Sequence, residues 1–239
     1  MSAKKFIRRH FPQVASFVRG IRSRRFRNLN RRDVFSEIHR DRLWASNETV
    51  SGRGSELANT EVARRVLPTI IRELDIRSIV DAPCGDYNWM KEVPVELHNY
   101  IGIDIVPDLI RRNSERFSRE GVTFLCMDLV AERCPRADLI ICRDCLIHLS
   151  LADGLAVLGN FRRSGSRFLL STTFPTVQRN RDIRTGDVRP INMEAPPFSL
   201  PAPLKLIDEE LNDEVGGALG QFLGLWTLDS ESTPLPPTQ

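Results

Sequence analysis

From Arg77 onward the chain alternates short apolar runs with segments of helical periodicity, and this alternation restricts the fold more than any other feature. Ser78–Ala82, Tyr100–Ile105, Thr123–Met127, Asp138–Cys142 and Arg167–Thr173 read as strands. Pro107–Arg119 and Leu151–Arg163, with a shorter stretch around Trp89, read as the helices between them. Leu139-Ile140-Ile141-Cys142 is apolar throughout, the pattern of a strand buried on both faces. Strands alternating with helices in this way imply a parallel, doubly wound α/β sheet. One more strand candidate lies in Gln221–Leu228, and Glu56–Leu74 reads as a helix ahead of the sheet. Residues 175–203 hold six prolines and read as a binding loop or a disordered stretch. The 239 residues suit one core domain with an appendage, set here at residues 41–239 and 1–40. No apolar run approaches the ~18 residues of a membrane span.

The appendage stands out by charge. Residues 1–32 contain eleven Lys or Arg and no acid, whereas the other 207 carry a net −8. Phe6, Ile7, His10, Phe11, Val14, Phe17, Val18 and Ile21 recur at helical spacing opposite the arginines, though Pro12 interrupts them. Such a leader fits a peripheral contact with an anionic membrane surface, a phosphate-binding arm for nucleic acid, or an organelle-targeting segment. It equally fits a solvated basic tail without a partner. Arg31–Val50 reads as a polar link. Five cysteines, an odd and scattered set, do not form a secreted disulfide framework, so a reducing, cytoplasmic setting is expected.

In open α/β sheets ligands sit outside the carboxyl ends of the strands. Asp81, Asp104, Asp128 and Asp144 fall at or just after successive strand ends. Asp104 lies nineteen residues past Gly85, the spacing at which an acid grips a ribose diol. Asp128 stands where a side-chain acceptor and a backbone N–H would read an adenine edge. The first turn, Asp81-Ala-Pro-Cys-Gly-Asp86, has one glycine, and Trp89 fills a position that needs a small residue. It is therefore no pyrophosphate cradle. A nucleoside cofactor without phosphates fits better, S-adenosyl-L-methionine in particular, its ammonium met by Asp81 or Asp86.

Asp81–Met90, Ile101-Gly-Ile-Asp-Ile-Val106, Cys142-Arg-Asp-Cys-Leu-Ile-His-Leu149 and Asn180-Arg-Asp-Ile-Arg-Thr-Gly186 together resemble the class I S-adenosylmethionine-dependent methyltransferases. Within them the chain is similar to a mostly bacterial group marked by the Asp-Ala-Pro-Cys-Gly-Asp-Tyr-Asn-Trp-Met motif. Trp44, Ser51-Gly-Arg-Gly-Ser55 and Thr60 belong to the same pattern, which covers about residues 40–228. The resemblance implies a Rossmann-like sheet of seven strands, mostly parallel, the last antiparallel. It implies cofactor contacts at Asp81, Cys84, Gly85, Asp86, Trp89, Asp104, Ile105, Asp128, Leu129 and Arg143. The group usually has an Asp-Lys pair before its closing Leu-Gly-Leu-Trp run, where this chain has Gly220-Gln221.

The segment after the fourth strand faces the transferred methyl in this fold. Asp144 and His148 are four residues apart, on one side of a helical turn. His148 is the candidate general base and Asp144 its orienter or a substrate ligand. Asn180, Asp182 and Arg184 are candidate substrate contacts, suited to a polyhydroxylated or charged acceptor. Cys142-x-x-Cys145 lacks a second pair nearby, so packing accounts for it better than a metal, and no metal site is expected. The expected activity is methylation of a small-molecule or saccharide hydroxyl. The alternatives are an RNA methyltransferase and an inactive binding module of the same fold.

Overall fold

The structure, a computed structural model, describes residues 25–44, 46–211 and 220–228. Seven strands form one sheet: β1 (Ser78–Asp81), β2 (Asn99–Asp104), β3 (Val122–Cys126), β4 (Leu139–Cys142), β5 (Phe168–Thr173), β6 (Lys205–Asp208) and β7 (Phe222–Thr227). Their order across the sheet is β3-β2-β1-β4-β5-β7-β6. The first five run parallel, and β7 is antiparallel to both β5 and β6. The Rossmann-like seven-stranded sheet implied by the resemblance is the one observed.

Strand periodicity of two sends alternate residues to opposite faces. Val80, Ile140, Leu169 and Trp226 join one core with Val157, Leu158 and Phe161 of the helix Leu151–Ser164. Ile79, Leu139, Ile141, Leu170 and Leu225 join the other with Leu67, Ile70 and Ile71 of the helix Glu61–Glu73. Burial on both faces explains why β4 is apolar at every position. Four helices matter below: α1 (Arg31–Arg40), α2 (Glu61–Glu73), α3 (Pro107–Phe117) and α4 (Leu151–Ser164). Pro107 opens α3 at a position where its missing N–H costs nothing. Ser150 caps α4 by accepting from the Asp153 N–H at 3.1 Å, and Gly165 ends it in the left-handed conformation. Because β1 has β2 on one side and β4 on the other, the chain reverses its winding there, which opens a crevice at the carboxyl ends.

Three sequence expectations change. The polar link from Arg31 is instead α1, capped by Asn30, whose side chain accepts from the Asp33 N–H at 3.0 Å. Val34 and Ile38 are buried with Phe26, and a Cβ on Gly186 would collide with Val34. The leader expected over residues 1–40 thus gives way to folded chain by Arg25; its first 24 residues lie outside the described ones. The helix expected around Trp89 is one 3-10 turn, Met90–Glu92. The proline-rich stretch is an ordered loop: Ile191, Met193, Phe198 and Leu200 are buried in the core. Among the described residues, no helix is long and apolar enough to cross a membrane.

Gly224 and Trp226 share one face of β7, and the indole folds back over the glycine while its N–H donates to the Pro201 carbonyl at 2.8 Å. A methyl at position 224 would occupy the ring's place. Gly224→Ala is therefore expected to cost about 1–3 kcal/mol, read as a lower urea midpoint at unchanged slope.

Candidate functional site

The crevice deepens into a cavity of about 520 Å³ at the ends of β1, β2 and β4. Its first wall is the turn after β1. Asp81 lines it, buried, and accepts the Tyr100 hydroxyl at 2.7 Å. Burial pushes its carboxyl up to about 7, against the pull of that hydrogen bond. Cys84, Gly85 and Trp89 also face the cavity. Gly85 has a positive φ of 53°, and a Cβ there would strike Ser51 Oγ, so the position admits glycine alone. Asp86 turns away. Its carboxylate accepts from Thr49 Oγ1 (2.7 and 2.8 Å), the Val50 N–H (3.0 Å) and Ser51 Oγ (3.0 Å). It anchors the Ser51–Ser55 loop over the turn, which corrects its expected place as an ammonium partner.

Asp104 closes β2 as the second wall. Its carboxylate accepts the Val106 N–H at 3.0 Å and the Gly85 N–H at 3.3 Å, and burial lifts it to about 6. Ile105 beside it lines the cavity, as do Asp128 and Leu129 after β3. The Asp128 carboxylate is held by Arg31 of α1 at 2.8 Å. Along the same face of α1, Phe35 and His39 also reach the cavity.

Arg143, after β4, lines the cavity but is fully engaged elsewhere. Its Nε donates to Glu209 at 2.7 Å, Nη1 to the Gly54 carbonyl at 2.5 Å, and Nη2 to the Asn59 carbonyl at 3.2 Å. Nη1 also stands 3.2 Å from Asp144. Arg143, expected as a cofactor contact, thus lines the cavity while bracing the loop on one side and Asp144 on the other. Glu209, buried beside it, has its carboxyl pushed up by desolvation while the Arg143 charge holds it back. Asp144 has a positive φ of 54°; its N–H donates to Thr172 Oγ1 at 2.9 Å, and its Oδ1 accepts from Gln221 at 3.0 Å. Gln221 thus holds Asp144 from the position where the group that this chain resembles differs.

His148 ends a 3-10 turn, Leu146–His148, and its Nδ1 lies 2.9 Å from the Asp187 carbonyl oxygen. A carbonyl only accepts, so Nδ1 carries the proton and Nε2 keeps its lone pair. The ring packs on Trp44 at a centroid separation of 5.1 Å. Burial holds the imidazole below its ordinary range, against the Asp187 carbonyl and the Asp144 charge. The orienting partner is therefore the Asp187 backbone, and Asp144 acts on the ring through its field rather than through a hydrogen bond.

The three expected substrate contacts do not join this cavity. Asn180 is buried and pins its own loop, donating to the Asn192, Ala195 and Pro196 carbonyls at 2.8–3.1 Å. Asp182 accepts the Leu151 and Ile183 N–H groups at 2.7 and 2.9 Å. With Arg184 it borders an open depression beside Asp153 that shares Arg31, Asp128, Ile183 and Asp187 with the cavity. Ile183, Gly186, Asp187 and Val188 of the same loop line the cavity instead. Arg31, Phe35 and His39 escaped the sequence reading, although their four-residue spacing is a helical stripe; the polar composition around them concealed it.

No protein-family profile and no curated protein matches the chain. Solved structures do. N-methyltransferase NodS from Bradyrhizobium japonicum WM9, in complex with S-adenosyl-L-homocysteine, aligns at a TM-score of 0.59 and 11% identity over 80% of this chain and 97% of that one. Burkholderia thailandensis 1,6-didemethyltoxoflavin-N1-methyltransferase aligns at 0.57 and 16% identity over 82% and 86%. Magnesium protoporphyrin IX methyltransferase from Synechocystis PCC 6803, with bound SAM, aligns at 0.53 and 12% identity over 83% and 97%. The chain therefore has the fold of S-adenosylmethionine-dependent methyltransferases.

Asp104 is raised in the folded state from an ordinary value of 3.8 to about 6. Its contribution to stability is present below 3.8 and is lost as pH rises through 6, since the unfolded chain then binds fewer protons. Asp104→Asn removes this penalty. Relative to wild type, the unliganded variant is expected to gain up to about 3 kcal/mol in urea unfolding between pH 4 and 8.

Proposed function

We propose that the chain is an S-adenosylmethionine-dependent methyltransferase whose acceptor is a hydroxyl of a small molecule or saccharide. The observation that carries this reading is a single cavity that joins buried carboxylates at the ends of β1 and β2 to a neutral, oriented histidine after β4. The residues present fit the cofactor. Asp104 offers acceptors for a ribose diol, Asp81 is a carboxylate for an ammonium, and Asp128 with Leu129 suits an adenine edge. Arg31 and Arg143 are both engaged with protein carboxylates, which leaves little for a pyrophosphate to pair with.

When bound, the cofactor supplies an activated methyl on a sulfonium sulfur, open to in-line attack. His148 Nε2 accepts the proton of the attacking hydroxyl as its oxygen bonds to carbon. The Asp144 carboxylate, braced by Arg143, Thr172 and Gln221, stabilises the positive charge that forms on the ring. Trp44 covers one face of the imidazole and limits its motion. Low basicity keeps His148 unprotonated at neutral pH, ready to act as a base.

Calorimetric titration with S-adenosylhomocysteine tests the cofactor: binding by wild type and its loss in Asp104→Ala are expected, and unchanged affinity in the variant removes the ribose assignment. With an acceptor in hand, His148→Asn is expected to lower kcat about 10²- to 10⁴-fold while leaving affinity for S-adenosylhomocysteine within about threefold.

A further inference from the structure

Buried polar groups in a folded chain find partners, so one that does not calls for an explanation. Among the described residues three buried side-chain nitrogens have no hydrogen-bond partner: Arg64 Nε, and both Nε and Nη2 of Arg189. Two of the three thus belong to one side chain. Arg189 is 5% exposed and forms no ion pair among the described residues. A buried cation is ordinarily paired with an anion.

The third nitrogen of Arg189 is spent. Nη1 donates to the Leu149 carbonyl at 2.6 Å and stands 3.3 and 3.5 Å from the carbonyls of Leu146 and Ile147. The Arg189 N–H donates to the Ile147 carbonyl at 3.0 Å. These bonds lash the guanidinium to the turn that carries His148 and set the direction of its remaining donors. In a planar guanidinium Nε and Nη2 lie along one edge with their N–H bonds parallel. That edge meets two oxygens of a carboxylate or phosphoryl group at once. An entire fork is therefore unspent.

The surroundings favour an anion. Arg189 lines an open cleft between the start of α4 and the loop 177–182, and this cleft shares no lining residue with the cofactor cavity. Val188 lines the cavity and Arg189 the cleft, so the chain passes between the two. Arg179 and Arg181, both exposed, also line the cleft, and Asp182 is the one carboxylate among its lining residues. Asp182 spends Oδ1 on the Leu151 and Ile183 N–H groups. Three cations therefore face one anion, beside apolar wall from Leu151, Val177 and Pro190.

We propose that this cleft is a second binding site, for a ligand bearing an oxoanion, carboxylate or phosphoryl, gripped bidentately by Arg189 Nε and Nη2. The ligand enters past the exposed Arg179 and Arg181, whose charge draws the anion in. Low local dielectric strengthens the pair once it forms. The apolar wall takes the carbon skeleton that the oxoanion is carried on. The site goes beyond the cofactor reading and does not depend on it.

The test is calorimetric titration of the full chain with inorganic phosphate and, separately, with benzoate, ionic strength held constant with sodium chloride. At least one probe is expected to saturate a single site; phosphate alone marks a phosphoryl ligand, benzoate alone a carboxylate. Arg189→Lys keeps the charge without the fork, and is expected to weaken that probe at least about tenfold, the scale of one hydrogen bond to a charged group. Arg179→Gln with Arg181→Gln is expected to weaken it only about threefold, an effect that added salt erases. Far-UV circular dichroism verifies that each variant is folded. Should Arg189→Lys not fold, Asp182→Asn takes its place: the amide oxygen keeps both backbone bonds, and loss of the like charge is expected to tighten binding about threefold. Saturation by neither probe shows that water alone fills the fork, and overturns the proposal. Equal affinity in wild type and Arg189→Lys overturns it too, as does affinity unchanged in Asp182→Asn.

Discussion

The cavity depends on one buried cation. Arg143 sits at the end of β4 with its side chain 4% exposed, and its charge is met by Glu209 at 1% exposure. Neither group tolerates burial alone, so each fixes the other. The remaining guanidinium donors reach the Gly54 and Asn59 carbonyls, and so tie down the loop that lies across the glycine turn. Glu209 in turn accepts from Gln221, which also holds Asp144. Four segments distant in sequence meet at this pair: the loop before α2, the end of β4, the end of β6 and the start of β7. The space left between them is the site.

Protein partners divide the carboxylates into those left facing the cavity and those held by the chain. Among the described residues Asp81 and Asp104 form no ion pair, and both face the cavity with carboxyls lifted to about 7 and 6 by burial. Unliganded, the fold carries the cost of these charges; a ligand that donates hydrogen bonds or brings an ammonium relieves it. Asp86, Asp144 and Asp128 are instead wholly or partly engaged by protein donors.

Much of this was legible in the sequence where a local pattern determined it. Six of the seven strands followed from apolar runs, β4 most plainly, because burial on both faces there leaves no room for polar residues. β6 did not, since its two apolar residues, Leu206 and Ile207, form too short a run between Lys205 and Asp208. Asp104 could be found by spacing, as strand, turn and helix lengths are narrowly limited in such units. Asp86 could not be told from Asp81, because the difference lies in Thr49 and Ser51, more than thirty residues away. The sequence could not show the partners of Asn180 and Asp182 for a similar reason. Polar side chains in a proline-rich stretch look available, yet the loop's own backbone needs them. Arg31 was hidden by its neighbours: a run of arginines suggests a solvated tail, and only the fold shows that one of them has two carboxylates waiting.

The brevity of β6 carries a further meaning. A sheet margin with unpaired N–H and C=O groups invites another chain to add itself there. On this side the margin is four residues long, begins with a lysine ion-paired to Glu73 of α2, and ends at an aspartate. A second molecule would find little backbone to zip onto and charge at either end. The strand that contributes least to the hydrophobic interior thus offers a short margin for intermolecular β-pairing, with exposed Leu206 set between its terminal charges.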